Sequence, residues 1–357
     1  MDIFENDKEI IKLLDMVKDI PWLRSYVLQL TPETLMAFTD NFGSQISVNT
    51  RNNTVVEVRL RNEGMTGEDT IYCFAEPFPG INVLSGNMRG LDNLGGISRK
   101  DEETMVSSIH YCRSGRCEIM TNDGRYAYMK SGVLCLESHK YKRKNLDFHG
   151  EEYLGVEIVF NLSLLSDEDR NYLSGLGVDV EDLQERYDQD SEYYMGNVSD
   201  TLKAAEEELA SLMESDTVDS TTLFLMVLRI NNLIKNGHVK VDKNDFYLTK
   251  GQRDIVSQIR DELINHPEES IPVETFAKKY GVSVVSLNKY FSIMYGDTIH
   301  KYIRQYRMEN AARLLRTTKK SIAEIAAISG YENQSKFGSV FKKKYGVSPL
   351  EYRRQNY

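Results

Sequence analysis

The sequence predicts an α+β fold: an N-terminal β-barrel or sandwich with a helical hairpin, then an all-α C-terminal domain. Three observations predict it. From about Ser44 to Phe160, apolar and polar residues alternate at period two between turn signals. From Val198 to Lys235 the period lengthens to that of amphipathic helices. Between Val273 and Tyr352 a helix–turn–helix pattern occurs twice.

The length of 357 residues favours two or three domains. Boundaries fall at 1–43 for a helical segment, 44–165 for the β domain, 166–236 for a helical region, 237–248 for a linker and 249–357 for the last domain. Within residues 3–40, Ile10, Leu13, Leu14, Val17, Trp22 and Leu23 can form one apolar face, and Pro21 and Pro32 mark helix starts or breaks. Val56, Val58 and Leu60 then alternate with Glu57, Arg59 and Arg61. Ile109 with Tyr111, Glu118 to Met120, and Tyr126 to Met129 read as short strands. Asn122-Asp123-Gly124 is a hairpin turn signal and Ser114-Gly115 a second candidate. The runs after Gly132 and Gly155 look like buried strands.

Short polar helices are expected over Ser166–Tyr187 and longer ones over Ser199–Met213 and Thr222–Lys235. Val198, Leu202, Leu209, Leu212, Val227, Ile230 and Ile234 make heptad-like seams. A hairpin within the chain can cover part of them. A two-fold pairing between chains covers the rest, and we read these seven residues as the homodimer contact.

In the last domain, Ser321 and Glu324 fit a capping box, and Gly330 stands where a sharp turn needs positive φ. Phe337 and Phe341 bury one side of the next helix and free the other. The earlier copy matches: Val273 to Gly281 spans the interval of Ile322 to Gly330, and Phe291, Gly296 and Tyr302 match Phe341, Gly346 and Tyr352. Such a unit presents its second helix to the DNA major groove. With Leu287 and Phe291 inward, Val285, Ser286, Asn288, Lys289 and Ser292 are left for DNA. Asn can pair with adenine, Lys with guanine, and Val285 with a thymine methyl. Lys342, Lys343 and Lys344 suit phosphates. Between the copies, Ile299 to Leu315 reads as one helix.

These residues carry a resemblance. The segment from Thr249 to Arg353 resembles the DNA-binding domain of the AraC/XylS family of bacterial transcription regulators. It does so through Ala277, Gly281, Leu287, Phe291, Gly296, Tyr302 and Arg307, and again through Ala311, Leu315, Ile325, Ala326, Gly330, Tyr331, Phe337, Phe341, Gly346, Pro349, Tyr352 and Arg353. The resemblance implies base contacts at Val285, Asn288 and Lys289, and at Gln334, Ser335 and Ser339, with Lys336 beside them. Many relatives carry Arg where Ser339 stands. By domain order and pattern, the β domain resembles the cupin-like sensor half of many such proteins. The implied partners are double-stranded DNA, an unidentified small-molecule effector, RNA polymerase and a second copy of the chain.

The net charge of −10 is unevenly placed. Residues 249–357 carry 19 Lys and Arg against 11 Asp and Glu, a net of +8, which leaves −18 for the remainder. That distribution suits local phosphate contact. The acidic N-terminus does not read as a secretory signal, and no run of eighteen apolar residues predicts a membrane span, so a cytoplasmic protein is expected. Cys73, Cys112, Cys117 and Cys135 are too few for a disulfide scaffold. A two-residue turn at Ser114-Gly115 would set Cys112 opposite Cys117 as a candidate redox pair, with buried structural thiols as the default. His110, His139 and His149 share the β region, but there is no H-x-H pair and no zinc-finger spacing; we assign neither metal nor cofactor. No phosphate loop, nucleophile elbow or H-E-x-x-H motif nominates an enzyme. The alternatives are a regulator whose first half only dimerises or binds a protein, and a barrel enzyme with an accessory DNA module.

Overall fold

The computed structural model describes residues 8–28, 46–51, 53–60, 70–89, 106–121, 124–137, 145–148, 152–178, 194–241 and 246–356. They form two compact units, Met1–Tyr247 and Leu248–Tyr357. The fold is α+β, with sheets and a helical hairpin in the first unit and, from residue 250 on, helices in the second. Pro32, His139, His149, Asn122 and Asp123 lie outside the described residues, as does the Trp22 side chain.

The first unit opens with α1 (Lys8–Met16) and α2 (Pro21–Leu28). Pro21 is the first residue of α2, where its missing N–H costs no helical bond. The strands follow as β1 (Ile46–Arg51), β2 (Val55–Leu60), β3 (Thr70–Phe78), β4 (Ile81–Arg89), β5 (Val106–Ser114), β6 (Arg116–Met120), β7 (Tyr126–Lys130), β8 (Val133–Glu137), β9 (Asn145–Phe148) and β10 (Glu152–Asn161). After α3 (Asp167–Gly175) come β11 (Tyr194–Val198), α4 (Asp200–Glu214), α5 (Ser220–Lys235), β12 (Val239–Val241) and β13 (Tyr247–Leu248). One sheet has the order β1-β2-β3-β4-β10-β5-β8-β11-β12 and the other β13-β7-β6-β9.

The larger sheet is covered on both faces, which explains why its strands read as apolar runs. On one face, Val83, Ile109, Leu134 and Ile158 share a core with Leu202 and Leu209 of α4 and Val227 and Ile230 of α5. On the other, part of the sheet meets the second sheet through Cys112, Cys135, Cys117, Ile119 and Met129. Another part meets α1 and α2, where Val17 and Leu23 pack on Val56, Phe74 and Leu84. Among the described residues the two sheets face each other without a shared strand.

Two expectations are corrected. Gly115, at φ 83°, passes the chain from one sheet to the other and does not close a hairpin. Cys112 therefore sits beside Val133 and Gly155, while Cys117 sits beside Met129 and Phe148. The seam of the α4–α5 hairpin is also spent within the chain. Leu202, Leu209, Val227 and Ile230 are 0% exposed and Ile234 is 3% exposed, with Val198 and Leu212 packed partly buried on the same core. The partner of these residues is the β-sheet, so they are not a surface for a second copy.

The second unit contains α6 (Lys250–Asn265), α7 (Val273–Tyr280), α8 (Val284–Tyr295), α9 (Ile299–Thr317), α10 (Ile322–Ile328), α11 (Gln334–Tyr345) and α12 (Pro349–Asn356). The pairs α7–α8 and α10–α11 are the two sequence copies. Each closes on the same three-ring knot. Phe291, Tyr295 and Tyr302 have centroids 4.8, 5.2 and 5.3 Å apart; Phe341, Tyr345 and Tyr352 have centroids 4.5, 5.3 and 5.2 Å apart. Burial pushes the Tyr295 hydroxyl up to about 12.

Candidate nucleic-acid interface

Sequence-local chemistry sets the start of each reading helix. Ser283 caps α8 by accepting from the Ser286 N–H, and its hydroxyl donates to Ser286 Oγ at 2.9 Å. Asn333 caps α11, its Oδ1 accepting from the N–H groups of Ser335 at 2.8 Å and Lys336 at 3.2 Å. Ahead of α11, Ser321 and Glu324 form the expected capping box on α10. The turn at Gly330 has φ 73°, and a Cβ there would stand 2.8 Å from Arg307 Cζ and 2.9 Å from the Pro267 carbonyl. Glycine is needed for both reasons. Arg307 braces the same corner, donating to the carbonyls of Pro267 at 2.6 Å and Glu269 at 2.8 Å.

The buried sides of the two helices are Leu287 with Phe291 and Phe337 with Phe341. The outward sides hold most of the residues read as DNA contacts. Val285 is 80% exposed, a large apolar side chain left in solvent on the first turn of a capped helix. Lys289 is exposed, and Ser286 and Ser292 are half-buried. In α11, Gln334, Ser335, Lys336, Ser339, Lys342, Lys343 and Lys344 are all exposed. The first-turn N–H groups add the positive end of the helix dipole, which favours phosphate.

Three of these residues are engaged otherwise than expected. Asn288 uses both ends of its amide inside the unit: Nδ2 donates to the Val284 carbonyl and Oδ1 accepts from the Ile299 N–H, each at 3.2 Å. One bond at each end of the amide ties the side chain to the unit's own backbone and fixes its orientation. Lys344 turns back to α9, where its ammonium lies 2.8 Å from Glu309 Oε1. Ser339 donates to its own helix, to the Ser335 carbonyl at 3.0 Å. Sequence periodicity placed all three on the outer arc but carried no information about neighbouring helices.

The first unit holds a second cluster, on the face of the large sheet toward the second sheet. Tyr153 Oη lies 2.7 Å from His110 Nε2. Gly155 makes room for the pair, since a Cβ there would stand 2.7 Å from the Tyr153 ring. Glu157, His110 and Cys135 are cross-strand neighbours in one row, and all three are buried. Burial pushes the Cys112 thiol up to about 12, so it stays protonated and a poor nucleophile. All four cysteines are buried and unbridged.

Sequence reading missed Glu206. It is 1% exposed, no hydrogen-bond partner reaches its Oε1, and burial followed by the neighbouring Glu207 pushes its carboxyl up to about 8. In an amphipathic pattern a Glu reads as solvent-facing, so no local signal marked it.

A family model described as a helix-turn-helix domain matches residues 276–355. The xylose operon regulatory protein of Escherichia coli (strain K12) is 40% identical over 92 residues, covering 26% of this chain and 24% of that protein. Regulatory protein SoxS of Salmonella typhimurium (strain LT2) is 33% identical over 101 residues, 28% of this chain and 94% of SoxS. Among solved structures, the C-terminal domain of AraT, a response regulator from Geobacillus stearothermophilus, is 36% identical with a TM-score of 0.27, covering 28% of this chain and 84% of that one.

Proposed function

The chain belongs to the AraC/XylS family of helix–turn–helix proteins, and from that premise we propose that it is a sequence-specific DNA-binding regulator of transcription. The observation that carries this reading is the pair of capped helices α8 and α11, each buried on one side and polar or basic on the other, in a unit of net charge +8 over residues 249–357. Val285 and Lys289 read bases from α8, and Gln334 and Ser335 from α11. Lys336, Lys342 and Lys343 contact phosphates and set register.

The first unit senses a small molecule. The buried polar row of Glu157 and His110, with Tyr153 above it, supports this over a purely apolar assembly role. Occupancy there would bias the arrangement of the reading unit by a coupling free energy. A homodimer remains part of the reading, through a surface other than the buried seam.

Selection of duplexes from a randomised pool by the full chain tests the proposal. We expect enrichment of a defined motif whose binding falls steeply with salt. Recovery of unenriched sequence at low and moderate salt would overturn it.

A further inference from the structure

We propose that Asn288 is a positioning residue, which fixes the first reading helix by capping the start of the helix that follows. The inference rests on the DNA-binding reading above and deepens it, because it assigns Asn288 a different task from base recognition.

The first four N–H groups of a helix lack an intrahelical acceptor, and a side chain at the N-cap usually serves one of them. At the start of α9 the N-cap is Thr298, whose side chain makes no capping bond. The acceptor comes instead from α8, eleven residues earlier, through Asn288 Oδ1 on the Ile299 N–H. The other end of the same amide holds the Val284 carbonyl in the first turn of α8. One side chain therefore ties the reading end of α8 to the start of α9. Ile299 is 2% exposed, so water cannot readily replace the lost acceptor.

The second copy supplies an internal control. Aligned on Phe291 and Phe341, Asn288 corresponds to Gly338 and Ile299 to Pro349. Proline has no N–H, so no donor is orphaned there and no acceptor is needed. Ser348 and Glu351 cap α12 locally, with Ser348 N–H donating to Glu351 Oε2 at 2.9 Å and Glu351 N–H to Ser348 Oγ at 3.3 Å. The side chain and the donor it serves are present together in one copy and absent together in the other. A base-reading Asn288 gives no reason for that pairing.

The test is a cycle of four full-length proteins: unsubstituted, Asn288→Ala, Ile299→Pro, and the double variant. Thr298 is already extended, at ψ 155°, which suits the residue before a proline. Pro349 is itself buried at the matching place. On the selected duplex, Asn288→Ala should weaken binding about fivefold, the factor for one lost cap, and relax all base pairs under α8 together. In the Ile299→Pro background the same change should cost less than twofold. An equal loss in both backgrounds, or relaxation confined to one base pair, would overturn the proposal. Should the unsubstituted chain select no sequence, the failure belongs to the DNA-binding reading. Thermal unfolding of the same four proteins then decides the capping role, and additive shifts would refute it.

Discussion

Replacing Glu206 by Gln should stabilise the protein in a way that grows with pH. The carboxyl is buried between α4 and the large sheet, and its folded-state value is pushed up to about 8 from an ordinary 4.5. Neighbouring charge offers no relief: Glu207 is another carboxylate, itself paired with Arg113 at 2.8 Å. The sign follows from linkage. Below pH 4.5 the group is protonated in both folded and unfolded chains and contributes nothing. Between 4.5 and 8 the unfolded chain releases the proton and the folded chain keeps it, so stability falls by about 1.4 kcal/mol per pH unit. At pH 7 the cost is roughly 3 kcal/mol, and it saturates above pH 8. Gln keeps the volume and has no proton to lose. Denaturant unfolding of the full chain at pH 5 and pH 8, for native and variant proteins, measures the difference. The Glu206→Gln advantage should be several kcal/mol larger at pH 8. A constant difference between the two pH values would mean that Glu206 titrates alike in the folded and unfolded chains.

Three further outcomes follow from the geometry. Lys342→Ala with Lys343→Ala should lower the log–log salt slope of DNA binding by about 1.8, at about 0.9 per phosphate contact. Lys344→Ala should lower it by less, because that ammonium is paired with Glu309; slopes unchanged from the unsubstituted chain in both variants would remove these lysines from the phosphate footprint. Leu202→Asp with Leu209→Asp should unfold the first unit, seen as lost near-ultraviolet dichroism, because both side chains are buried against the sheet; a folded monomer would restore the seam as a dimer contact. Gly330→Ala should cost at least about 1–2 kcal/mol from the left-handed backbone alone, with the Pro267 carbonyl adding to it; an unchanged melting temperature would contradict this.

Most of the second unit was legible in the sequence because its determinants are local. A capping box needs only Ser321 and Glu324, and an αL turn needs only Gly281 or Gly330. Two copies at a fixed offset then give the architecture. The failures share one cause, which is that a partner distant in sequence decided the outcome. The α4–α5 seam has the same periodicity whether a sheet or a second chain covers it. Cys112 and Cys117 flank a turn-like Ser114-Gly115, but β5 pairs with β8 and β10 while β6 pairs with β7 and β9. Asn288 lies on the outer arc of α8, and only the placement of Ile299 shows that its amide is also bonded to the next helix. Glu206 belongs to the same class, since its burial depends on the sheet beneath α4.

In the proposed regulator, α8 and α11 read one DNA duplex together. The joining helix α9 has 19 residues, about 28 Å at 1.5 Å per residue, close to the roughly 34 Å between successive major grooves on one face. Hydroxyl-radical footprinting of the full chain on its selected duplex tests this most directly. Two protected patches are expected on one face, centred about 10 base pairs apart for each bound reading unit, with Val285→Asp weakening one patch and Ser335→Asp the other. A single patch, or two on opposite faces of the duplex, would contradict it.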